Sequence, residues 1–206
     1  MNGRKQKALE ASGFKASCLE KMFVQKGERR PRLRLAGFGG DWIKVQLKDC
    51  FATCNIKPYI ASAGTFGRFP VVQQGDNPIA GYFDDIAIKP FYGYEDVVVL
   101  GDHTLSLYKP QSPFFVATDG IRILKAVSLD GYFLYSLLNR YKPTPNGYKR
   151  YLSILGESQG FIPPTAAEQR AIGKFFEDLD KMVELQEKKV EKLRHIKAGC
   201  LERMFG

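Results

Sequence analysis

The last quarter of the chain carries apolar residues at alternating steps of four and three positions. This spacing places their side chains on one face of a helix. Pro163 and Pro164 end any element before them, and Thr165 followed by Glu168 matches a capping box, in which each side chain binds the backbone N–H of the other. We therefore predict one helix from Ala166 to Phe205. Its apolar face consists of Ile172, Phe176, Leu179, Val183, Val190, Leu193, Cys200 and Met204, with Gln186 and Lys197 as polar interruptions.

A helix of this extent needs a second helix against its apolar face. It is roughly 60 Å long, which a small domain cannot cover. The sequence supplies a candidate, because FKASCLEKMF at residues 14–23 returns as IKAGCLERMF at residues 196–205, with seven of ten positions identical. The equivalent face of the first copy consists of Ala8, Ala11, Cys18 and Met22. We predict that two chains associate along this seam; the alternative is a short repeated helix end without consequence.

The middle of the chain, from about residue 43 to residue 161, has a different pattern. Short apolar or β-branched runs alternate with Gly, Pro, Asp and Asn, which is typical of strands joined by turns. The runs are RFPVVQQG, GYFDDIAI, EDVVVLGDHTLSLYKP and PFFVATDGIRILKAV, and GYFLYSLLNRY at residues 131–141 predicts one helix. The predicted fold class is mixed α/β, of the α+β type. One globular domain of mixed sheet and helix is flanked by long coiled-coil helices, which the family resemblance described below implies to be antiparallel.

Composition narrows the functional class. With 44% hydrophobic residues, the chain can bury a core as one compact domain with appendages. No apolar run reaches the roughly 20 residues of a membrane span, and the polar start lacks a secretory signal, so we expect a cytoplasmic protein. We expect the four cysteines to be reduced thiols. With two histidines and no second cysteine pair, we expect no metal site.

The net charge of +9 lies mostly at the N-terminus, where residues 1–35 hold ten Lys or Arg against three Asp or Glu. A basic surplus attracts phosphate backbones and so favours nucleic acid as a partner. Catalytic patterns are weak. A methyltransferase needs a glycine-rich cofactor loop after a strand, but GFGGD at residues 37–41 precedes the sheet region. It also needs an Asn/Asp-Pro-Pro-aromatic motif at a strand end, and NPIA at residues 77–80 shares only its first two residues with that motif. Asp102 and His103 beside Asp119 lack a nucleophile or a metal set, and satisfied polar groups at strand ends are the simpler interpretation.

Several segments resemble one known family. IPPTAAEQRAIGKFFEDLDKMVELQEKKVEKLRHIKAGCLERMF, which begins at residue 162, is similar to the conserved helical region of type I restriction-modification specificity subunits. LEKMF and, after it, RPRLRLAGFGGDW resemble the end of that helix and the segment that leads from it into a target recognition domain in the same family. FPVVQQGDNPIAGYFDD, GDHTLSLY and FFVATDGIRIL resemble strand and loop signatures of such domains. The resemblance covers essentially the whole chain.

The resemblance implies a non-catalytic subunit that reads DNA sequence without a cofactor. Members of the family hold two target recognition domains, separated by two long antiparallel helices that act as a ruler and dock methyltransferase and restriction subunits. This chain has one such domain, which implies either a natural half-subunit, two copies of which rebuild a two-domain subunit as a homodimer, or a fragment of a longer subunit. The implied division is a short helical repeat at residues 1–28, a target recognition domain with its connector at residues 29–162, and a long conserved helix at residues 163–206.

Residue types in the middle domain then suggest contacts with double-stranded DNA. Amide side chains on a Gly-flanked loop suit adenine edges, and an arginine suits guanine. Lysine and arginine side chains suit phosphates, and a tyrosine can pack on a sugar. The predicted DNA contacts are Lys57, Arg68, Gln73, Gln74, Asn77, Lys109, Arg122, Tyr148, Lys149 and Arg150. Two other functions stay open: a stand-alone nuclease or methyltransferase, and a protein-only coiled-coil adapter.

Overall fold

A computed structural model describes residues 13–85, 87–147 and 149–205. These residues form nine strands and four helices, so the predicted α+β fold class is confirmed. The strands are β1 (Ile43–Gln46), β2 (Phe51–Thr53), β3 (Phe69–Val72), β4 (Ile79–Phe83), β5 (Val97–Gly101), β6 (Leu107–Tyr108), β7 (Phe115–Val116), β8 (Ile121–Ala126) and β9 (Gln159–Ile162). The helices are α1, which covers residues 13–21 of the described chain, α2 (Gly131–Tyr141), α3 (Tyr151–Glu157) and α4 (Ala166–Phe205).

The described strands form three small sheets, and the ends of two of them lie close together. One sheet has the order β2-β8-β5-β6, and another has the order β4-β3-β7. Since β3 and β7 are parallel, with Val72 opposite Val116, they end at the same edge. β8 begins opposite the last residue of β5, because Gly101 pairs with Ile121. The turns after β3, β5 and β7 therefore come to lie together.

The third sheet joins the two ends of the middle region. β1 pairs antiparallel with β9, from Ile43 opposite Ile162 to Gln46 opposite Gln159. β1 comes after the connector that leaves α1, and β9 directly precedes α4. This pairing brings the connector to the start of the long helix.

Helix α2 has the predicted bounds and packs between a sheet and α4. The Asp130 side chain caps it, since one carboxylate oxygen accepts from the N–H groups of Tyr132 and Phe133 at 2.9 Å each. Its buried face contacts β5 on one side and α4 on the other. A Cβ atom added at Gly173 of α4 would lie 2.2 Å from an Asp130 carboxylate oxygen. Only glycine therefore allows α4 to approach the capped end of α2 so closely.

Helix α4 also has the predicted bounds, but only half of the predicted capping box is confirmed. The N–H of Glu168 donates to the Thr165 hydroxyl at 3.3 Å. The Glu168 carboxylate is 1% exposed and does not reach back to Thr165 as predicted. Instead, the Arg34 guanidinium donates to both of its oxygens at 2.8 Å. A planar guanidinium satisfies a buried carboxylate better than one backbone N–H, because it neutralises the charge with two parallel hydrogen bonds.

The apolar face of α4 is covered by this chain over its first half. Ile172, Phe176 and Leu179 are buried in one core with Cys18 and Met22 of the α1 region. The prediction that no single small domain can cover this face is therefore wrong for its first half. α1 and α2 supply that cover, because both pack along the start of α4.

The second half of the same face is more open. Val183, Val190 and Leu193 are half-buried, whereas Cys200 and Met204 are exposed. Ala8 and Ala11, the other predicted seam residues, lie outside the described residues. Association of two chains along the seam stays a prediction.

The four cysteines differ in their exposure. All four are free, with Cys18 and Cys50 buried and Cys200 exposed. In the described ranges, no group of three or more His, Cys, Asp or Glu side chains is placed to hold a metal ion. Nor does any helix of the described chain combine the length and apolar character that crossing a bilayer requires.

Candidate nucleic-acid interface

Four polar segments meet at one edge of the sheets. They are the turn at residues 73–78 after β3, the turn at 102–106 after β5, the turn at 117–120 after β7, and residues 149–150 before α3. We call this edge the four-turn surface. Hydrogen bonds join the first two turns directly, since the His103 N–H donates to the Gln74 Oε1 at 3.3 Å and the Gly75 N–H donates to the Ser106 hydroxyl at 2.9 Å.

Asp102 ties the other two segments to this edge. Its backbone N–H donates to the Gly120 carbonyl at 2.9 Å, and its own carbonyl accepts from the Tyr151 N–H at 2.7 Å. One carboxylate oxygen accepts from the Leu152 N–H at 2.9 Å, so that Asp102 caps α3 from a distant turn. His103 Nδ1 lies 3.3 Å from the Lys149 carbonyl oxygen. The interpretation of Asp102 as a satisfied strand-end group agrees with these contacts.

Arg122 was predicted to contact a phosphate, but its guanidinium binds groups of this domain and stabilises the turns around Asp102. Its Nη2 lies 3.2 Å from the second carboxylate oxygen of Asp102, whose side chain is 2% exposed. Its Nη1 donates to the carbonyls of Asp119 and Ile121 at 2.6 and 3.1 Å. The predicted phosphate contact of Arg122 is therefore corrected, because a buried carboxylate needs this charge beside it.

The predicted amide side chains all lie on the four-turn surface, but they differ in exposure and in their hydrogen bonds within the domain. The Gln73 amide donates to the Asn77 carbonyl at 3.0 Å, which closes its own turn. The Gln74 side chain is half-buried between the turns, with its oxygen held by His103. Asn77 is exposed at the tip of the turn. Asn77 thus has the side chain most accessible to a ligand.

Lys109 is the clearest error among the predicted DNA contacts. It is 6% exposed, and its Nζ donates to the carbonyls of Tyr94 and Glu95 at 2.8 and 2.9 Å. The same atom lies 5.6 Å from the centre of the Tyr132 ring. Burial lowers the pKa of Lys109 to about 8, with nearby carboxylates such as Asp130 opposing the shift. A buried lysine with internal acceptors cannot contact a phosphate.

Arg68 lies apart from the amides, at the other end of the β3–β4 hairpin. Its guanidinium donates to both carboxylate oxygens of Asp84 at 2.7 and 2.8 Å and lies over the Phe69 ring. This bidentate pair uses the edge that would bind guanine, but the Arg68 side chain is 70% exposed, so the guanine contact stays a prediction. The Arg68 pair holds the pKa of Asp84 below its usual range, chiefly through the hydrogen bond.

The remaining predicted basic residues are exposed. Lys149 and Arg150 lie on the four-turn surface before α3, whereas Lys57 begins a short 3-10 turn, Lys57–Tyr59, elsewhere on the domain. Tyr148, predicted to pack on a sugar, lies outside the described residues. The structure thus brings Gln73, Gln74 and Asn77 together with Lys149 and Arg150.

Sequence reasoning missed the contribution of the GDHTLSLY turn to this edge. Thr104 and Ser106 hydroxyls lie 2.8 Å apart, and Thr104 is exposed. Leu105 between them adopts a left-handed φ of 56°, with its own side chain buried and Thr104 exposed beside it. The Thr-Leu-Ser sequence, an apolar residue between two hydroxyl residues, was the available sign of a turn with polar side chains at this edge. Asp76 and Asp119 are also exposed here.

The fold matches solved structures over almost the whole chain. The type I restriction-modification S subunit from M. genitalium matches with a TM-score of 0.62 at 19% identity, covering 98% of this chain and 53% of that chain. The HsdS subunit from Thermoanaerobacter tengcongensis matches with a TM-score of 0.50 at 14% identity, covering 98% of this chain and 52% of the other. A chain from a type I R-M system, solved in work on complex assembly and conformational transition, matches with a TM-score of 0.58 at 15% identity. The match covers 97% of this chain and 53% of that chain.

These likenesses show the S-subunit fold, and this chain spans about half the length of each matched structure. No protein-family model matches the chain. No curated protein matches it by sequence.

Proposed function

We propose that this chain is a DNA-sequence specificity subunit of a type I restriction-modification system, in a form with one target recognition domain. The observation that carries the proposal is the S-subunit fold, which extends over 98% of this chain while covering about half of each matched S subunit. The repeat of residues 14–23 at residues 196–205 suits an assembly in which two copies of this fold come together. The basic net charge of +9 agrees with a nucleic-acid partner.

The four-turn surface supplies the chemistry for reading double-stranded DNA. The amide of Asn77 suits the edge of adenine, and carboxylates such as Asp76 and Asp119 accept from the exocyclic amine of cytosine. Lys149 and Arg150 suit phosphates on either side, and these contacts fix position without reading sequence. Hydrogen bonds between the turns hold the readers on strand ends, so little ordering is needed on binding.

The helices have the second role in this proposal. The open second half of α4 docks the methyltransferase and restriction subunits and associates with a second chain, so that a homodimer presents two target recognition domains. The chain itself is non-catalytic and needs no cofactor. Residues 1–28, 29–162 and 163–206 then serve as helical repeat, recognition domain with connector, and conserved helix.

A binding assay with matched variants tests this proposal. With the methyltransferase subunit present, Asn77→Ala should weaken binding to the cognate site by about 1–3 kcal/mol and leave binding to random DNA unchanged. Lys149→Ala should weaken binding to both DNAs alike and make it less dependent on salt. Lys44→Ala, which removes an exposed lysine of β1, is the control and should change neither.

Two outcomes would favour other functions. Cleavage or methylation by the purified chain alone, with magnesium or S-adenosylmethionine, would identify an enzyme. The absence of DNA binding even with the methyltransferase subunit would instead favour a protein-only coiled-coil adapter.

A further inference from the structure

The two copies of the repeated ten residues have opposite environments. In the first copy, Cys18 and Met22 are buried in the core of the domain. In the second copy, at the end of α4, the equivalent Cys200 and Met204 are exposed, Met204 to 73%. One sequence is therefore covered at one position and open at the other. The open copy carries the same side chains that the core accepts.

The first copy lies in a groove formed by α2, the start of α4 and Trp42, which we call the α1 groove. The Phe23 ring centre lies 5.6 Å from Trp42, 5.9 Å from Phe133 and 6.1 Å from Phe176. Near the start of α1, Lys15 forms an ion pair with Asp180. Since Lys15 lies beside Asp180 and Phe23 lies beside Phe176, α1 runs antiparallel to α4.

The repeat predicts how the α4 helices of two chains would align if the end of one lay in the α1 groove of the other. Lys197 is the equivalent of Lys15, so a second copy whose α4 end lay in the groove would place Lys197 beside Asp180. Its Cys200 would then replace Cys18 beside Phe176. In this register the seam positions pair as 172 with 204, 176 with 200, 179 with 197, 183 with 193 and 186 with 190. The pairing is two-fold symmetric, so both chains fill both grooves at once.

We propose that α1 occupies the groove that receives the end of α4 from a second copy, so that dimerisation exchanges one copy of the repeat for the other. The inference rests on the homodimer proposed above. The exchanged core contacts are nearly identical in chemistry, since cysteine replaces cysteine and methionine replaces methionine. The second copy offers Val190 and Leu193 where the first has Ala8 and Ala11, and it therefore buries more apolar surface along the seam.

This exchange makes α1 an internal competitor of association. Anything that weakens α1 in its groove strengthens the dimer, and anything that weakens the end of α4 weakens the dimer. The two copies of the repeat allow the same substitution to be made at both positions. Their effects on the dimer should have opposite signs.

The test compares Lys15→Asp with Lys197→Asp in the full chain, by sedimentation over a range of concentrations. Lys15→Asp places like charges beside Asp180 only when α1 is in the groove, so the dimer Kd should fall about three- to tenfold. Lys197→Asp places like charges there only in the exchanged dimer, so the Kd should rise by a similar factor. Far-UV circular dichroism checks that both variants stay folded. Shifts in the same direction, or no shift with Lys15→Asp, would overturn the exchange.

A locked variant separates the exchange from the homodimer itself. Lys15→Cys with Asp180→Cys, in a Cys200→Ala background, can be joined within one chain by a short bis-maleimide that keeps α1 in its groove. The joined chain should stay monomeric, while the same chain before reaction should dimerise, though more weakly than the wild-type chain, because Asp180 and Cys200 contact the second copy in the exchanged dimer. If the joined chain still dimerises, the exchange is overturned but the proposed homodimer stands. If neither the wild-type chain nor Lys15→Asp dimerises at any concentration, both are overturned.

Discussion

The two halves of α4 carry one continuous apolar face in different environments. In the first half, Ile172 and Phe176 are buried against α1 and α2, and Glu168 is paired with Arg34. In the second half, Val190 is half-buried and Met204 is exposed. The helical period therefore specifies which face is apolar but not what covers it. The first half stabilises the domain, and the second half is available for association.

The largest expected effect tests whether the first half belongs to the domain core. Phe176→Ala removes a buried ring and leaves a cavity, so the free energy of unfolding should fall by about 3–5 kcal/mol. Met204→Ala, on the same face of the second half, should change it by no more than about 0.5 kcal/mol in the monomer. Urea unfolding at low protein concentration measures both. Equal losses would mean that the two halves are equally covered.

The ion pair that anchors the connector to the start of α4 should have a somewhat smaller effect. Arg34→Ala leaves the Glu168 carboxylate buried without its partner, and we expect the free energy of unfolding to fall by about 2–3 kcal/mol. Arg30→Ala, which removes an exposed ion pair with Asp41 in the same connector, is the matched control. It should cost no more than about 0.5 kcal/mol. A similar cost for both variants would show that burial of Glu168 does not set the strength of the anchor.

The second half of α4 should respond in association and not in stability. Val183→Asp with Val190→Asp should change the free energy of unfolding of the monomer by no more than about 0.5 kcal/mol. The same change should convert a dimer to a monomer in sedimentation, because an unpaired charge would be buried in the seam. Leu185→Asp, which alters an exposed residue away from the seam, should leave the dimer intact. Retention of the dimer in the double variant would place the association surface elsewhere.

The smallest effect concerns Lys109, which lines a pocket together with Arg170 and Glu177 of the first half of α4. Burial lowers the pKa of Lys109 to about 8, whereas an unfolded lysine titrates near its usual 10.5. Between these values the unfolded chain binds more protons, so the free energy of unfolding should rise with pH from about 8 to 10, by roughly 1–2 kcal/mol. Urea unfolding of Lys109→Met should lack this rise. An identical pH profile for both chains would show that Lys109 titrates normally.

Local features of the sequence predicted the helices well. α2 and α4 have their predicted bounds, and α4 combines helical spacing with the Pro-Pro-Thr segment as a start signal. The Asp130 cap of α2 is a finding of the structure. The pairing of β1 with β9 depends on segments more than a hundred residues apart, which no local pattern encodes. Helix α3 was missed for a related reason, since its cap is the distant Asp102.

The candidate site was predicted only in part, because residue type does not specify burial or pairing. The amides of the QQGDN segment lie in a turn as predicted, because Gly, Asp and Asn favour turns, while their contact with DNA stays a prediction. Lys109, Arg122 and Arg68 were chosen for their charge, and each is held by groups distant in sequence: the carbonyls of Tyr94 and Glu95, the Asp102 carboxylate and the Asp84 carboxylate. Such partners emerge only from the tertiary fold.

In the proposed function, this chain reads DNA sequence and two copies of it do so in one symmetric assembly. The most direct measurement is a genome-wide map of methylated sites in cells that carry this chain with its methyltransferase subunit. Two identical chains related by a two-fold axis must read inverted half-sites, so we expect one interrupted palindrome with a fixed gap. A methylated motif with two unrelated halves would contradict it, because a different recognition domain would then read the second half.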